Sequence, residues 1–331
     1  MTLQMANPVS LNATQNGSPA GHRDPIASGM EKVETLMHEV VKSDVTVLRD
    51  ASHHILAAGG KRIRPRLTLL AYNAFGGEDF DSVAPLAAAV ELVHTASVVH
   101  DDINDHGVVR RGRPSVNMIW GRTFALLTGD FLFTKVYELM APHHDFNVVL
   151  AEATKALVEG ETLQAAAVKE NRFTREVYYD IIARKTAALF RAAAQMGAKA
   201  AGASDSEQEA LAQFGFNVGL AFQIVDDVLD LIGDEAQLGK TSGIDLAQGR
   251  GFAAAYNDGE AGVFAEASAD SSADPMIAIR QKVLQGNTVQ EAYEQARGLV
   301  ELALSQLEIL PETEAKAALA ALARSVVERT Y

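Results

Sequence analysis

The segment HDDIND places Asp101, Asp102 and Asp105 within five positions, and QIVDDVLD repeats the D-D-x-x-D spacing with Asp226, Asp227 and Asp230. Residues i and i+4 of a helix share one face, a turn apart. On a helix, then, Asp101 stands over Asp105 and Asp226 over Asp230. Like charges at that spacing destabilise a helix by roughly 0.2–0.5 kcal/mol per pair. Both triplets also end an apolar stretch, where the helix dipole disfavours anions. One such match reads as a solvated acidic face. Two, each closing a long apolar helix, break local rules in the way functional sites do. The natural neutraliser is a hard divalent cation. Mg2+ takes oxygen ligands, keeps several waters, and uses one or two carboxylates plus substrate phosphates. No His/Cys set of zinc type lies nearby.

Positive charge gathers beside these motifs in a chain whose net charge is -14. GGKRIRPR carries Lys61, Arg62, Arg64 and Arg66, RRGR spans residues 110 to 113, and GKTSGIDLAQGR carries Lys240 and Arg250. Each cluster alone reads as ordinary solvated surface. Flanking two acidic motifs, they describe a pocket for one or two diphosphates. Arginine forks match phosphate oxygens, and glycines let backbone approach them.

The elements that must hold these residues are helices. From Glu31 onward apolar residues recur at spacings of three and four and alanine is abundant, while alternating strand patterns are nearly missing. Ser204 and Glu207 have capping-box spacing before LAQFGFNVGLAFQIVDDVLDLI, for which Gly233 is a stop signal. Thr174 precedes a helical run, REVYYDIIARKTAALFRAAAQMGAKA, that ends at Gly202. The expectation is one all-α domain over 31–331, preceded by a polar, disordered tail over 1–30 that lacks the features of a signal peptide. The small, acidic, Ser/Ala-rich stretch 257–275 is expected to be a flexible loop.

The 331 residues, 48% hydrophobic, suffice for a substantial core. The acidic balance, with a pI near 5.1, argues against nonspecific nucleic-acid binding. Cysteine is absent, which removes disulfides, thiolate metal sites and cysteine nucleophiles, and fits a cytoplasmic setting. The longest apolar run, VAPLAAAVELVHTASVV, is interrupted by Glu91 and His94, so no membrane span is expected.

In order, GGKRIRP, HDDIND with RRGRPSVN, GETLQ, ARKTAALF, FQIVDDVLD and GKTSGIDL resemble the motif series of the trans-prenyl diphosphate synthases, from about Lys61 to Arg250. The resemblance implies an all-α, isoprenoid-synthase-type bundle around a deep central cavity. It implies head-to-tail condensation of isopentenyl diphosphate onto an allylic diphosphate (geranyl or farnesyl). Three Mg2+ are implied with substrate bound, with Asp101, Asp105, Asp226 and Asp230 as metal residues and Asp102 and Asp227 in support. Arg110, Lys185 and Lys240 match contacts to the allylic diphosphate. Gln223 and the Lys185–Thr186 backbone would face the developing cation. Gly60, Lys61, Arg64, His94 and Arg111 match the isopentenyl diphosphate site, with Arg250 at its rim. A homodimer is implied, and product release is expected to involve peripheral membrane contact.

His94 alone would read as a core histidine, but it lies two helical turns before Asp101, which favours the diphosphate role. Ala96 and Ser97 lie one turn, ~5.4 Å, below Asp101. A bulky aromatic there would block a growing chain. Small residues, followed by Val93, Leu92, Ala89 and Ala88, imply passage to C25 or longer. Close helix packing needs small residues equally, and a floor residue elsewhere would give the C20 product. After Arg250 the family pattern of Thr-Leu-Pro is replaced by GFAAAY, and Arg250 itself stands where lysine is usual. Three rivals remain. A non-catalytic partner subunit would generally lose one Asp motif. A terpene cyclase would lack GGKRIRP and the second DDxxD. An HD-type phosphohydrolase, suggested by His100–Asp101, would need further histidines beside acid motifs, and His53, His54, His143 and His144 are not so placed.

Overall fold

Alanine-rich, apolar-periodic segments fold here as a stack of helices around one core. The computed structural model describes residue 24 and residues 26–170, 172–232, 251, 255 and 287–329. The helices are α1 (Ala27–Val40), α2 (Thr46–Ala57), α3 (Ile63–Ala74), α4 (Phe80–Asn104), α5 (Val116–Met140), α6 (His144–Lys169), α7 (Arg175–Ile182), α8 (Ala188–Ala200), α9 (Asp205–Ile232), α10 (Thr288–Gln306) and α11 (Glu314–Val327). The all-α expectation holds among the described residues, with one small exception. Val109–Arg110 (β1) and Arg113–Pro114 (β2) pair antiparallel, a two-strand ribbon that the sequence reading missed.

α4 is the central helix. Asp79 caps its first turn, its side chain accepting from the Asp81 amide at 3.1 Å. It packs on α1, α3, α5 and α8, and nearly every residue from Val83 to Val99 is buried. By length and composition alone α4 is long and apolar enough to cross a membrane. However, 78% of its most apolar window is buried inside the protein, as in a core helix. α9 packs on α8 and α10. Its start carries the expected capping box: Ser204 N–H donates to Glu207 Oε2 at 2.7 Å, and the Glu207 amide donates to Ser204 Oγ at 3.4 Å. Thr174 caps α7 through the Val177 amide, and Gly202 takes positive φ just after α8.

Two boundaries differ from expectation. α1 begins at Ala27, inside the stretch assigned to the tail, because Ile26 and Gly29 are buried against the core. The remaining tail, residues 1–23, lies outside the described residues, as do Gly233 and the 257–275 stretch. The segment read as one helix from Thr174 to Gly202 is interrupted by a π-helical turn, Ala183–Ala187.

Candidate active site

The C-terminal ends of α4 and α9 open onto one pocket of about 560 Å3. Its walls include Asp101, Asp105, Asp226, Asp227 and Asp230 together with Lys61, Arg64, Arg110 and Arg111. The two acid motifs, 121 residues apart in sequence, therefore meet in space.

The six aspartates divide by environment. Asp102 is 1% exposed and points away to Arg110, whose Nε and Nη2 donate to Oδ1 at 3.0 and 2.6 Å. Burial raises the Asp102 pKa, with Arg110 opposing. Asp227 accepts from Tyr178 Oη at 2.8 Å and from Gln223 Nε2 at 2.6 Å. Asp101, Asp105 and Asp226 are partly exposed, and they line the pocket with the more buried Asp230. Among the described residues, no three His, Cys, Asp or Glu side chains stand close enough to enclose an ion by themselves. Oxygen donors spread over two helix ends, with room between, suit an ion that completes its shell with water and substrate phosphate. On that donor chemistry the carboxylates fit Mg2+.

The π-helical turn aims Lys185 and Thr186 into the pocket. An extra residue in one turn re-directs the side chains after it, and such turns recur at functional sites. α6 must come close to this turn, and Gly160 permits it: a Cβ there would lie 2.8 Å from the Lys185 amide nitrogen. The next residue, Glu161, pairs with Lys185 Nζ at 2.6 Å, and Asp101 lies 3.8 Å from the same nitrogen. Burial pushes the Glu161 carboxyl up to about 7 against the pull of Lys185, with Asp101 adding to the rise. Thr186 Oγ1 donates to Gln223 Oε1 at 2.7 Å, so a chain of hydrogen bonds runs Thr186–Gln223–Asp227–Tyr178. That chain fixes the orientation of the Gln223 amide.

The cationic wall comes from three places. Gly59 and Gly60 both take positive φ before α3, and Gly60 packs directly against the Arg111 guanidinium. Arg64 is 8% exposed, and its guanidinium sits 4.7 Å from the centre of the Phe190 ring. Burial lowers its pKa to about 10, still leaving it charged at neutral pH. Arg110 and Arg111 ride on the ribbon, where Arg111 and Gly112 both take positive φ, as a two-residue hairpin with right-handed strand twist requires. His94 is held well below the usual histidine range, first by burial and then by Arg64, Arg111, Arg110 and Arg62. It offers the pocket a neutral imidazole rather than another cation.

The structure thus gathers Asp101, Asp105, Lys185, Thr186, Gln223, Asp226, Asp230, Gly60, Lys61, Arg64, His94, Arg110, Arg111 and Ser97 around one cavity. Ala96 is fully buried and is absent from the pocket wall, as are Leu92 and Val93. Lys240 and Arg250 lie outside the described residues. Four residues that sequence reasoning left unassigned also belong here. Glu91, Glu161 and Phe222 line the pocket, and Arg329 stacks its guanidinium 4.4 Å over Phe222. Burial lowers the Arg329 pKa, its charge opposes that of Lys61, and its Nη1 is buried without a hydrogen-bond partner. A signal for Glu161 was present in GETLQ. Arg329 lies in the C-terminal ALARSVVERTY, which resembles the family only weakly, and only folding brings residue 329 to residue 222.

Among the described residues, a helical bundle in which two acidic helix ends and several guanidinium groups line one pocket has the isoprenoid-synthase fold. The chain belongs to the polyprenyl synthetase family, whose model matches residues 45–256. It is 38% identical over 306 residues to a short chain isoprenyl diphosphate synthase of Methanothermobacter thermautotrophicus, covering 87% of this chain and 93% of that one. It is 35% identical to the octaprenyl diphosphate synthase of Haemophilus influenzae, covering 91% and 94%. A polyprenyl synthase from Caulobacter crescentus CB15, crystallised with calcium and isoprenyl diphosphate, superposes with a TM-score of 0.86 at 34% identity, covering 92% and 96%. The protein is accordingly a prenyltransferase of the isoprenyl diphosphate synthase type.

Proposed function

We propose that this enzyme condenses isopentenyl diphosphate head-to-tail onto geranyl or farnesyl diphosphate, giving an all-trans polyprenyl diphosphate of C25 or longer. The observation that carries the reading is the convergence of both DDxxD motifs and the guanidinium cluster on one pocket. In the reaction the allylic C–O bond breaks, and its electron pair leaves with the diphosphate. The isopentenyl double bond then supplies the electrons for the new C–C bond, and a proton departs. Lys185 and Arg110 line the same pocket and would meet the negative charge that grows on the leaving diphosphate. Asp101, Asp105, Asp226 and Asp230 would hold Mg2+, expected as three ions with substrate bound. Bound there, Mg2+ would neutralise the leaving group's charge. Gln223, oriented by the Thr186 hydroxyl, and the Lys185–Thr186 backbone would face the cationic carbon. Lys61, Arg64, Arg111, Gly60 and His94 would hold isopentenyl diphosphate. Chelation by EDTA is expected to abolish turnover and added Mg2+ to restore it; full turnover in EDTA would overturn the metal assignment.

Chain length is read from Ser97, which walls the pocket one turn below Asp101 and is small. The relatives above run from short-chain to octaprenyl products by name, so they leave this open. Ser97→Phe is expected to shift the main product by at least one isoprene unit toward shorter chains. An unchanged product distribution would remove Ser97 from the tail path. Ala96 fits the close-packing alternative better.

A homodimer is supported by α5. It exposes the apolar side chains Met118, Ile119, Phe124, Leu126, Leu127 and Tyr137, which a partner copy could cover. Leu126→Asp/Leu127→Asp is expected to halve the mass seen by light scattering. A cytoplasmic setting, with release of the apolar product at a membrane surface, completes the reading.

A further inference from the structure

Glu91 is a carboxylate in the middle of the most buried helix of the protein, 2% exposed and three residues before His94. A buried carboxylate persists only where opposite charge compensates it. Its Oε1 accepts from Arg62 Nη1 at 3.0 Å. Arg62 is 6% exposed, and each of its three nitrogens is engaged. Nε donates to Glu34 Oε1 at 2.6 Å, and Nη2 donates to the Leu56 carbonyl at 3.0 Å. Arg62 therefore faces back into the protein. It does so from left-handed backbone, φ 46°, at the residue just before α3. A non-glycine residue holds that conformation only when its surroundings fix it. The bonds to Glu34, Glu91 and Leu56 fix it, and the turn they pin carries Lys61 on one side and Arg64 on the other.

Glu91 also shares the pocket wall with Arg64 and Arg111. It is the leading counter-charge to burial for both. Its second oxygen, Oε2, is buried with no hydrogen-bond partner, and Arg64 Nε is likewise buried without one. Lys61, Arg62, Arg64 and Arg111 outnumber the carboxylates Glu34 and Glu91, which leaves the cluster net positive, as an anion receptor needs.

We propose that Glu91 is a positioning residue for the isopentenyl diphosphate subsite, acting through Arg62 and as shared counter-charge to Arg64 and Arg111. This rests on the prenyl-transfer reading above. Glu91→Gln keeps the shape and removes the charge. The expected result is a rise of about tenfold or more in KM for isopentenyl diphosphate, with KM for the allylic diphosphate and kcat changed less than about threefold. Glu91→Asp, which keeps the charge but shortens the reach to Arg62, should fall between the two. Glu34→Gln, at a half-exposed carboxylate that leaves the core intact, keeps the assay decisive should Glu91→Gln not fold. It should raise the same KM severalfold. Unchanged KM for isopentenyl diphosphate in every variant that folds, or equal rises for both substrates, would overturn the positioning role. Absence of any prenyl transfer by the unmodified protein would instead overturn the reading beneath it.

Discussion

Asp101→Ala is expected to lower kcat for prenyl transfer by about 10³-fold while leaving the fold at least as stable. The two halves of that expectation have separate origins. Asp101 stands in the last turn of α4, where the dipole opposes a negative charge and Asp105 sits one turn away. Its removal relieves that repulsion, so the melting temperature should hold or rise slightly. Its catalytic contribution is larger, because its carboxylate reaches into the pocket 3.8 Å from Lys185 Nζ, where leaving-group charge must be met. Melting followed by circular dichroism, set beside steady-state kinetics, measures both. Near-normal kcat would remove Asp101 from the metal-binding set. A parallel loss of stability and activity would make it structural.

Gly60→Ala is expected to raise KM for isopentenyl diphosphate by roughly 10- to 100-fold, from about 1–3 kcal/mol of strained backbone and displaced arginine. A Cβ at this position would lie 2.6 Å from the Arg111 guanidinium carbon, and Gly60 takes φ 142°, which L side chains rarely adopt. Backbone strain and the displaced arginine act on the same subsite. The allylic diphosphate, proposed to lie beside the Asp motifs, should bind as before. Kinetics with each substrate varied in turn distinguishes the two. An unaltered KM for isopentenyl diphosphate would mean that Arg111 does not bind it.

Much of the site was legible because its chemistry conflicts with local helix physics. Two acidic triplets at helix C-termini have no reason in local helix physics, and the shared pocket supplies one. Helix periodicity and the Ser204–Glu207 and Thr174 caps were equally readable, since each depends on residues close in sequence. What escaped depends on contacts across the fold. The π-helical turn at Ala183–Ala187 has no periodic signature, because one extra residue leaves the apolar spacing on either side nearly undisturbed. The RRGR ribbon is too short to show alternation, although its Arg-Gly pair marks a tight turn in hindsight. Ala96 and Ser97 were indistinguishable as small residues one turn below Asp101. Only the packing of α4 separates the residue that walls the cavity from the one that lies in the core. Arg110 was expected at a diphosphate, and its bond to the buried Asp102 shows that it also braces the end of α4. Glu91 looked like an interruption in an apolar run, and folding makes it the counter-charge to three arginines.

The most direct measurement is to incubate the purified protein with farnesyl diphosphate, labelled isopentenyl diphosphate and Mg2+, and to size the chains by chromatography. The expected result is a metal-dependent ladder ending in all-trans products of C25 or longer. A C20 end product would keep the prenyl transfer and place the cavity floor at a residue other than Ser97. No product from farnesyl or geranyl diphosphate would contradict the central claim and point to a non-catalytic subunit that requires a partner.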